Sequence, residues 1–396
     1  MPTTNPDTLP PPVRIAYLVP RLDVGGTERA LVALLEGLPA DRFEKHVICL
    51  SGYGPLEGAV RATGAELFDM GYARRRASGN SALRTALSFP AAMWRLYRHL
   101  RARRIRVLHT MIPACNVYGA IAARIARTPR VCCTKLSLGN YRDSMPLLAR
   151  MEDLTGRWFH LVHCKSRGIA EDVARREPIP RARMRVVYNG IRVDEYGGPV
   201  ARAAARRELG VPEDAHVVGV VANLNAYKGH SDLIEAARRI ATQLPRMHLV
   251  FVGRDDGIGG TLRAQAAEAG LPGRVHLVGP RSDIPRVMSA FDVLVSASHE
   301  EGFSNVLLEG MASCLPVIAS NVGGNPEAVD DGVTGIIVPP RDPDAMAAAL
   351  ARLANDAVTA REMGKRGRER ARAMFSHEAM VAGMVAFYDE LLGTQG

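Results

Sequence analysis

FDVLVSASHEEGFSNVLLEGMASCLPVIASNVGG, residues 291–324, joins three patterns in one segment. Val293 to Val295 form an apolar run of strand length, a polar turn follows, and from Asn305 the spacing of Val306, Leu307, Leu308 and Met311 predicts a helix. Ser304 stands where an N-cap belongs. The amides of Phe303 to Val306 and the positive end of the helix dipole would then face the turn, which favours an anion such as a phosphate. Glu301 lies just before the helix start, and Glu309 lies about 7 to 8 Å along the axis from Ser304. Two acceptors therefore flank one anion site, a span that suits a sugar, a diphosphate and a ribose, because carboxylates accept hydrogen bonds from hydroxyls.

Glu301-Gly302-Phe303 followed by Glu309, with Leu315-Pro316-Val317, Val322-Gly323-Gly324 and Asp331-Gly332-Val333-Thr334-Gly335, resembles the carboxyl-terminal signature of the family-four retaining glycosyltransferases of the GT-B fold. Two glutamates alone would be a weak signal; the whole ordered set is a strong one. The resemblance implies an α/β chain of GT-B architecture, with two Rossmann-like doubly wound domains facing across a cleft and a C-terminal helix returning to the first. It also implies transfer of a sugar from a nucleotide-sugar donor, UDP- or GDP-linked, to a glycan or lipid-linked acceptor, with retention of configuration and no metal or further cofactor. Exopolysaccharide, lipopolysaccharide or glycolipid biosynthesis would be the setting.

Composition agrees with a globular protein. At 396 residues the chain is long enough for two domains, each with its own core, and 47% of it is hydrophobic. The longest apolar runs are of strand length, so no membrane span is expected. Residues 1–12 lack basic residues and an apolar core and read as a disordered leader rather than a signal peptide, so a cytoplasmic location is expected. Cys49, Cys115, Cys132, Cys133, Cys164 and Cys314 show no CxxC spacing, which favours buried reduced thiols over a metal site. Residues 71–110 hold ten arginines, from Arg74 to Arg106, and no acid, equal to the whole net charge of +10. Such a patch can serve an anionic membrane surface, and a peripheral location on the inner face of the cell membrane is expected from it. A merely solvated cationic face is the alternative.

Along the chain, strand and helix patterns alternate, as in a parallel sheet covered on both faces. Val13 to Val19 reads as the first strand, and Arg21 to Glu28 (RLDVGGTE) as a turn into a helix capped by Thr27. Gly25 and Gly26 lack the full dinucleotide fingerprint, so an NAD site is not expected. The resemblance places this loop beside donor and acceptor. From Ala91, Met93, Trp94, Leu96, Tyr97 and Leu100 share a packing face while Arg95, Arg98 and Arg101 share a cationic one. His109 ends the next strand, where open parallel sheets place ligands. The resemblance sets a histidine beside the donor sugar, often with a second one two residues on, where this chain has Met111. His109 is therefore the candidate, against the plainer reading of a core histidine. The first domain is expected over residues 13–191, a linker over 192–212, the nucleotide-sugar domain over 213–375 and the returning helix over 376–396.

In the second domain NLNAYKG (Asn223 to Gly229) turns into a helix, putting the Lys228 ammonium where it could neutralise a departing diphosphate. The resemblance expects an arginine where Asn223 stands, so the second cation must come from elsewhere, with Arg254 or Arg281 as candidates. Gly253 and Arg254 follow one strand, and Gly279-Pro280-Arg281 another, where the family holds the nucleotide base. The catalytic candidates are thus His109, Lys228 and Glu301. The donor-binding candidates are Gly25, Gly26, Asn223, Lys228, Gly253, Arg254, Arg281 and Glu301 to Val306 (Gly302, Phe303, Ser304 and Asn305 between them), with Glu309. Three rivals share some of these features: a GT-B sugar phosphorylase or nucleotide-sugar epimerase, a binding protein without catalysis, and a nucleic-acid binder. The last is disfavoured because aromatics, which would stack on bases, make up only 5% of the chain.

Overall fold

The computed structural model describes residues 11–72, 81–198 and 202–393, with residues 81–87 as backbone only. The chain divides into two compact units. Unit 1 takes the chain to Lys165, then Ile169–Val187, and again from Met380 onward; unit 2 takes Ser166–Gly168 and Tyr188–Ala379. No helix among the described residues is long and apolar enough to cross a membrane.

Unit 1 holds seven strands: β1 Val13–Val19, β2 Phe43–Cys49, β3 Glu66–Asp69, β4 Val107–Met111, β5 Arg130–Lys135, β6 Leu161–Cys164 and β7 Met184–Val186. They lie in the order β3-β2-β1-β4-β5-β6-β7, with every adjacent pair parallel. Unit 2 repeats the plan with β8 His216–Val221, β9 Met247–Val252, β10 Val275–Gly279, β11 Val293–Ser296, β12 Val317–Ser320 and β13 Gly335–Val338, in the order β10-β9-β8-β11-β12-β13. Each sheet is doubly wound, and its strand order reverses once, between β1 and β4 in unit 1 and between β8 and β11 in unit 2. The central strands are apolar on both faces, as burial between two helical layers demands: VLVS of β11 and VIAS of β12 are buried throughout.

The last helix, His377–Leu392, runs into unit 1 from residue 380 and buries Met380, Met384, Phe387, Tyr388 and Leu391 against Ile15, Tyr17 and Phe43. Arg130 donates to the carbonyl of Leu391 at 2.6 Å, and Arg185 to the carboxylate of Glu390 at 2.7 Å.

Several expectations are corrected. Residues 192–212 are no linker: Val193, Tyr196, Ala205, Leu209 and Val211 belong to the core of unit 2, with a helix over Arg202–Glu208. Their alternation with Ala and Arg hid an apolar face. The boundary between units falls at Val187/Tyr188 and again at Ala379/Met380 rather than at residues 191 and 375. Thr27 is not a cap; Gly25 occupies that position. The helix before β4 runs from Ser81 to Ala102 and buries Ala92, Leu96 and Leu100, whereas Trp94, assigned to the packing face, is 57% exposed. Arg95, Arg98 and Arg101 are exposed as expected; Arg74, Arg75 and Arg76, and the side chain of Arg84, lie outside the described residues. Cys314 is exposed, unlike the other five cysteines.

Candidate active site

In open parallel sheets ligands collect at the carboxyl ends of the strands where the order reverses. In unit 2 that point lies between β8 and β11, and the two loops leaving those strands carry Lys228 and Glu301. The Lys228 ammonium donates to both carboxylate oxygens of Glu301, at 2.9 Å each. Both side chains are 17% exposed, and the ammonium also sits 5.0 Å from the centre of the Tyr227 ring. The two residues, given separate tasks by the sequence, thus form one unit of paired charge. Gly229 makes the approach feasible: its φ is +70°, and a Cβ there would lie 2.0 Å from the carbonyl oxygen of Ala297 at the end of β11.

Beside the pair begins the helix Asn305–Ala312. Ser304 occupies its cap position in an extended conformation, but its hydroxyl makes no capping bond. Phe303 and Ser304 are buried, while Asn305, Val306 and Glu309 are half-buried. The Asn305 carboxamide oxygen accepts from Asn189 at 2.7 Å, and the Phe303 ring stacks on Tyr188 at 5.1 Å. The carbonyl of Gly302 accepts from Ser166 Oγ at 3.0 Å and from the Gly324 amide at 2.9 Å. Gly323, at φ +51°, passes so close that a Cβ would lie 1.7 Å from the carbonyl oxygen of Glu301. The Val322-Gly323-Gly324 motif therefore clamps the backbone that presents Glu301. Glu327, just after these glycines, accepts from the amides of Arg167 and Gly168 at 2.7 and 2.8 Å and from Tyr188 Oη at 3.0 Å.

The loop after β9 meets Asn223, whose side-chain oxygen accepts from the Arg254 amide at 3.3 Å, and Gly253 lies at the same strand end. The Arg254 guanidinium is exposed and donates to Asp256 at 2.7 Å. Arg281, at the end of the edge strand β10, is held in a two-pronged pair with Asp283 at 2.8 and 2.6 Å. Of the two candidates for the missing cation, Arg254 follows the strand next to β8 and Arg281 the strand one further out, and each is paired with a nearby aspartate.

At the reversal point of unit 1, Gly25 and Gly26 open the helix Gly26–Gly37, with Glu28 in its first turn. Ile112 follows β4 with φ +75° and ψ 142°, a conformation that L-residues avoid and that marks stored strain at this strand end. Lys165 follows β6. Its ammonium is pushed down to about 8 by burial, with Glu28 opposing the shift, and burial raises the Glu28 carboxyl in turn.

Residues 24–195 match the domain described as Glycosyltransferase Family 4, and residues 201–370 that described as Glycosyl transferases group 1. The two halves of the chain belong to these glycosyltransferase domain families. A D-inositol 3-phosphate glycosyltransferase of Corynebacterium glutamicum is 35% identical over 222 residues, covering 54% of this chain and 53% of that protein. Its counterpart in Mycolicibacterium gilvum is 37% identical over 174 residues, 42% and 38% of the two chains. The chain thus matches about half the length of these curated relatives. The solved structure of Anabaena HepE in complex with UDP aligns with a TM-score of 0.81 at 21% identity over 96% of this chain and 100% of that one, and sucrose-phosphate synthase of Thermosynechococcus elongatus with 0.80 at 24% over 97% and 100%. These likenesses establish the GT-B fold.

Against this glycosyltransferase frame, His109 stands apart from the other candidates. It is fully buried in unit 1, with Nδ1 2.7 Å from Tyr388 Oη and Nε2 2.6 Å from Thr134 Oγ1. Both ring nitrogens are occupied and neither faces a ligand-binding surface, so the core reading of His109 replaces the direct one. Glu28 and Lys165 were passed over in the sequence. A lysine between an apolar strand and a helix is the one signal that could have singled out Lys165, since lysine is rarely buried without cause.

Proposed function

We propose that the chain is a retaining hexosyltransferase that moves a sugar from a UDP-linked donor to a hydroxyl of an acceptor, without a metal ion. The observation that carries this is the Lys228 and Glu301 pair at the strand reversal of unit 2, beside the start of the helix Asn305–Ala312. An ammonium and a set of helix amides are what a departing diphosphate requires, because negative charge builds on it in the transition state. The fold shared with HepE, solved with UDP and with UDP-glucose, supports a uridine donor.

In this reading the diphosphate takes the Lys228 ammonium and the amides around Ser304 to Val306, with Arg254 as the second cation. Glu301 turns its carboxylate to sugar hydroxyls, and Glu309 accepts from the ribose. The acceptor hydroxyl attacks on the face the diphosphate leaves, and a phosphate oxygen takes its proton, so the anomeric configuration is kept. The acceptor is a glycan or a lipid-linked saccharide held by unit 1. A second reading is a phosphorylated polyol acceptor. The names of the curated relatives favour it, as does the buried Lys165 at the carboxyl edge of the unit 1 sheet.

The test is release of the matching nucleoside diphosphate from a panel of UDP-, GDP- and ADP-sugars, with UDP-sugars expected to be used and the product anomer read by NMR. Lys228→Ala should lower kcat by about 10²- to 10³-fold, the cost of one transition-state charge contact. An inverted product or full activity in that variant would defeat the proposal.

A further inference from the structure

Unit 1 carries a charged cavity at the opposite edge of its sheet from Gly25 and Lys165. It has a volume of about 550 Å³ and lies where β5 and β6 begin, under the end of the helix Pro113–Ala126. Four arginines line it, Arg124, Arg127, Arg157 and Arg183, together with Trp158, and no acidic residue does. Among the described residues no ion pair joins any of the four to a carboxylate. Arg157 and Arg183 donate instead to main-chain carbonyls, those of Leu154, and of Arg157 and Phe159. Arg127 holds φ +55°, a left-handed conformation normally left to glycine or asparagine at a helix end.

A line of apolar side chains leads to this cavity. On the helix Pro146–Gly156, Leu147 and Leu154 lie seven residues apart on one face, and Trp158 follows in the turn that ends the helix; they are 72%, 57% and 36% exposed. Ile125, beside Arg124, is 63% exposed. Of the eleven large hydrophobic residues exposed among the described residues, five fall between Ile125 and Trp158, which makes this a clustered surface rather than scatter. Crossover helices run antiparallel to the strands they join. This one therefore starts near the carboxyl edge of the sheet, where ligands collect, and ends about 16 Å away at the arginine cavity.

We propose that this face docks on an anionic lipid surface, with lipid phosphates in the arginine cavity and Leu147, Leu154, Trp158 and Ile125 among the acyl chains. Guanidiniums without carboxylate partners, next to exposed leucines and a tryptophan, match the two layers of a membrane interface, phosphate outside and hydrocarbon within. A protein partner would more readily be met by mixed charge. The docking would bring the ligand-binding edge of unit 1 to the membrane, and it shifts the contact away from the arginines of the helix Ser81–Ala102.

Co-sedimentation of the full chain with phosphatidylcholine vesicles, with and without phosphatidylglycerol, tests this without any activity measurement, so its failure leaves the transferase reading standing. Binding should require phosphatidylglycerol. Arg124→Glu with Arg127→Glu should weaken it at least thirtyfold, since two basic residues at an anionic surface are worth about that much. Leu154→Ser with Trp158→Ser should abolish it, with the circular dichroism spectrum unchanged; Arg98→Glu with Arg101→Glu should leave it intact. In a Trp94→Phe background, brominated lipid should quench Trp158. The proposal is overturned if vesicles fail to bind, or if only the Arg98/Arg101 variant loses binding. Saturable binding of inorganic pyrophosphate in the cavity without vesicle binding would assign it to a soluble phosphate. A dimer that dissociates on Leu154→Ser would assign the face to a second copy.

Discussion

Replacing Thr134 by valine changes two hydrogen bonds and almost no volume, and it separates a structural from a catalytic His109. Thr134 Oγ1 bridges His109 Nε2 at 2.6 Å and His163 Nδ1 at 3.0 Å, all within the core of unit 1. His163 Nε2 lies 2.9 Å from the carbonyl of Val187, which can only accept, so that nitrogen carries the proton and Nδ1 accepts. Thr134 must then donate to His163 and accept from His109 Nε2–H. His109 Nδ1, left without a proton, accepts from Tyr388 Oη, which in turn accepts from Tyr17 Oη at 2.9 Å. The direction of every bond is thereby fixed with both histidines neutral, as burial requires: His163 is pushed down to about 4 and His109 well below its ordinary value. Valine orphans one donor on His109 and one acceptor on His163, at about 1 to 3 kcal/mol each, or roughly 2 to 6 kcal/mol together. Against a total of about 5 to 15 kcal/mol that is severe. The urea midpoint should fall at unchanged slope, while kcat of the folded fraction holds. A general acid or base at His109 would instead cost about 10²- to 10⁴-fold in rate. Loss of less than about 0.5 kcal/mol, or a large fall in kcat at full stability, would refute the chain of bonds. The pH dependence follows from the same burial. Both pKa values are depressed in the folded state, so the unfolded chain binds more protons below about 6.5. Stability should decline as pH falls from there towards 4, by up to about 3 kcal/mol for His163.

Glu301→Gln removes the carboxylate that shares the Lys228 ammonium. UDP should bind about tenfold more tightly by calorimetry, a change of about 1.4 kcal/mol, while transfer from UDP-glucose falls; unchanged or weaker UDP binding would mean the pair does not compete with the diphosphate. Gly323→Ala places a methyl group 1.7 Å from the Glu301 carbonyl oxygen, so the clamp must open; kcat/KM should drop at least tenfold, with the loss shared between the two constants. Lys165→Met removes a buried ammonium whose folded pKa of about 8 lies below the ordinary 10.5. It should raise stability at pH 7, by a margin that shrinks as pH climbs from 8 towards 10.5, and turnover of an anionic acceptor should suffer.

The sheets were legible because each buried strand carries its own signature. VLVS at β11 and VIAS at β12 cannot be amphipathic, and a run apolar on both faces belongs inside a parallel sheet. Residues 192–212 were misread for the converse reason: Val193, Ala205 and Leu209 bury only because the core of unit 2 lies beside them, and local composition carries no record of that neighbour. Trp94 fails in the same way, since an amphipathic pattern fixes which residues share a face but not how wide a stripe the core covers.

The site divides along a similar line. The helix start at Asn305 and the glycines of residues 323–324 announce themselves through local spacing, but the pairing of Lys228 with Glu301 spans 73 positions. That contact arises from topology: β8 and β11 become neighbours only because the strand order reverses between them, and Gly229 then lets the two departing loops touch. His109 shows the opposite effect. Its place on a central strand suggested a ligand-facing end, yet the partners that enclose it come from β1, β5 and the final helix, 92, 25 and 279 positions away. A histidine with one vacant nitrogen and one with two filled nitrogens look identical in sequence. Only the second-neighbour protons, traced from the Val187 carbonyl back through His163 and Thr134, decide between a group that can exchange a proton with a ligand and one whose proton is already committed to holding the fold.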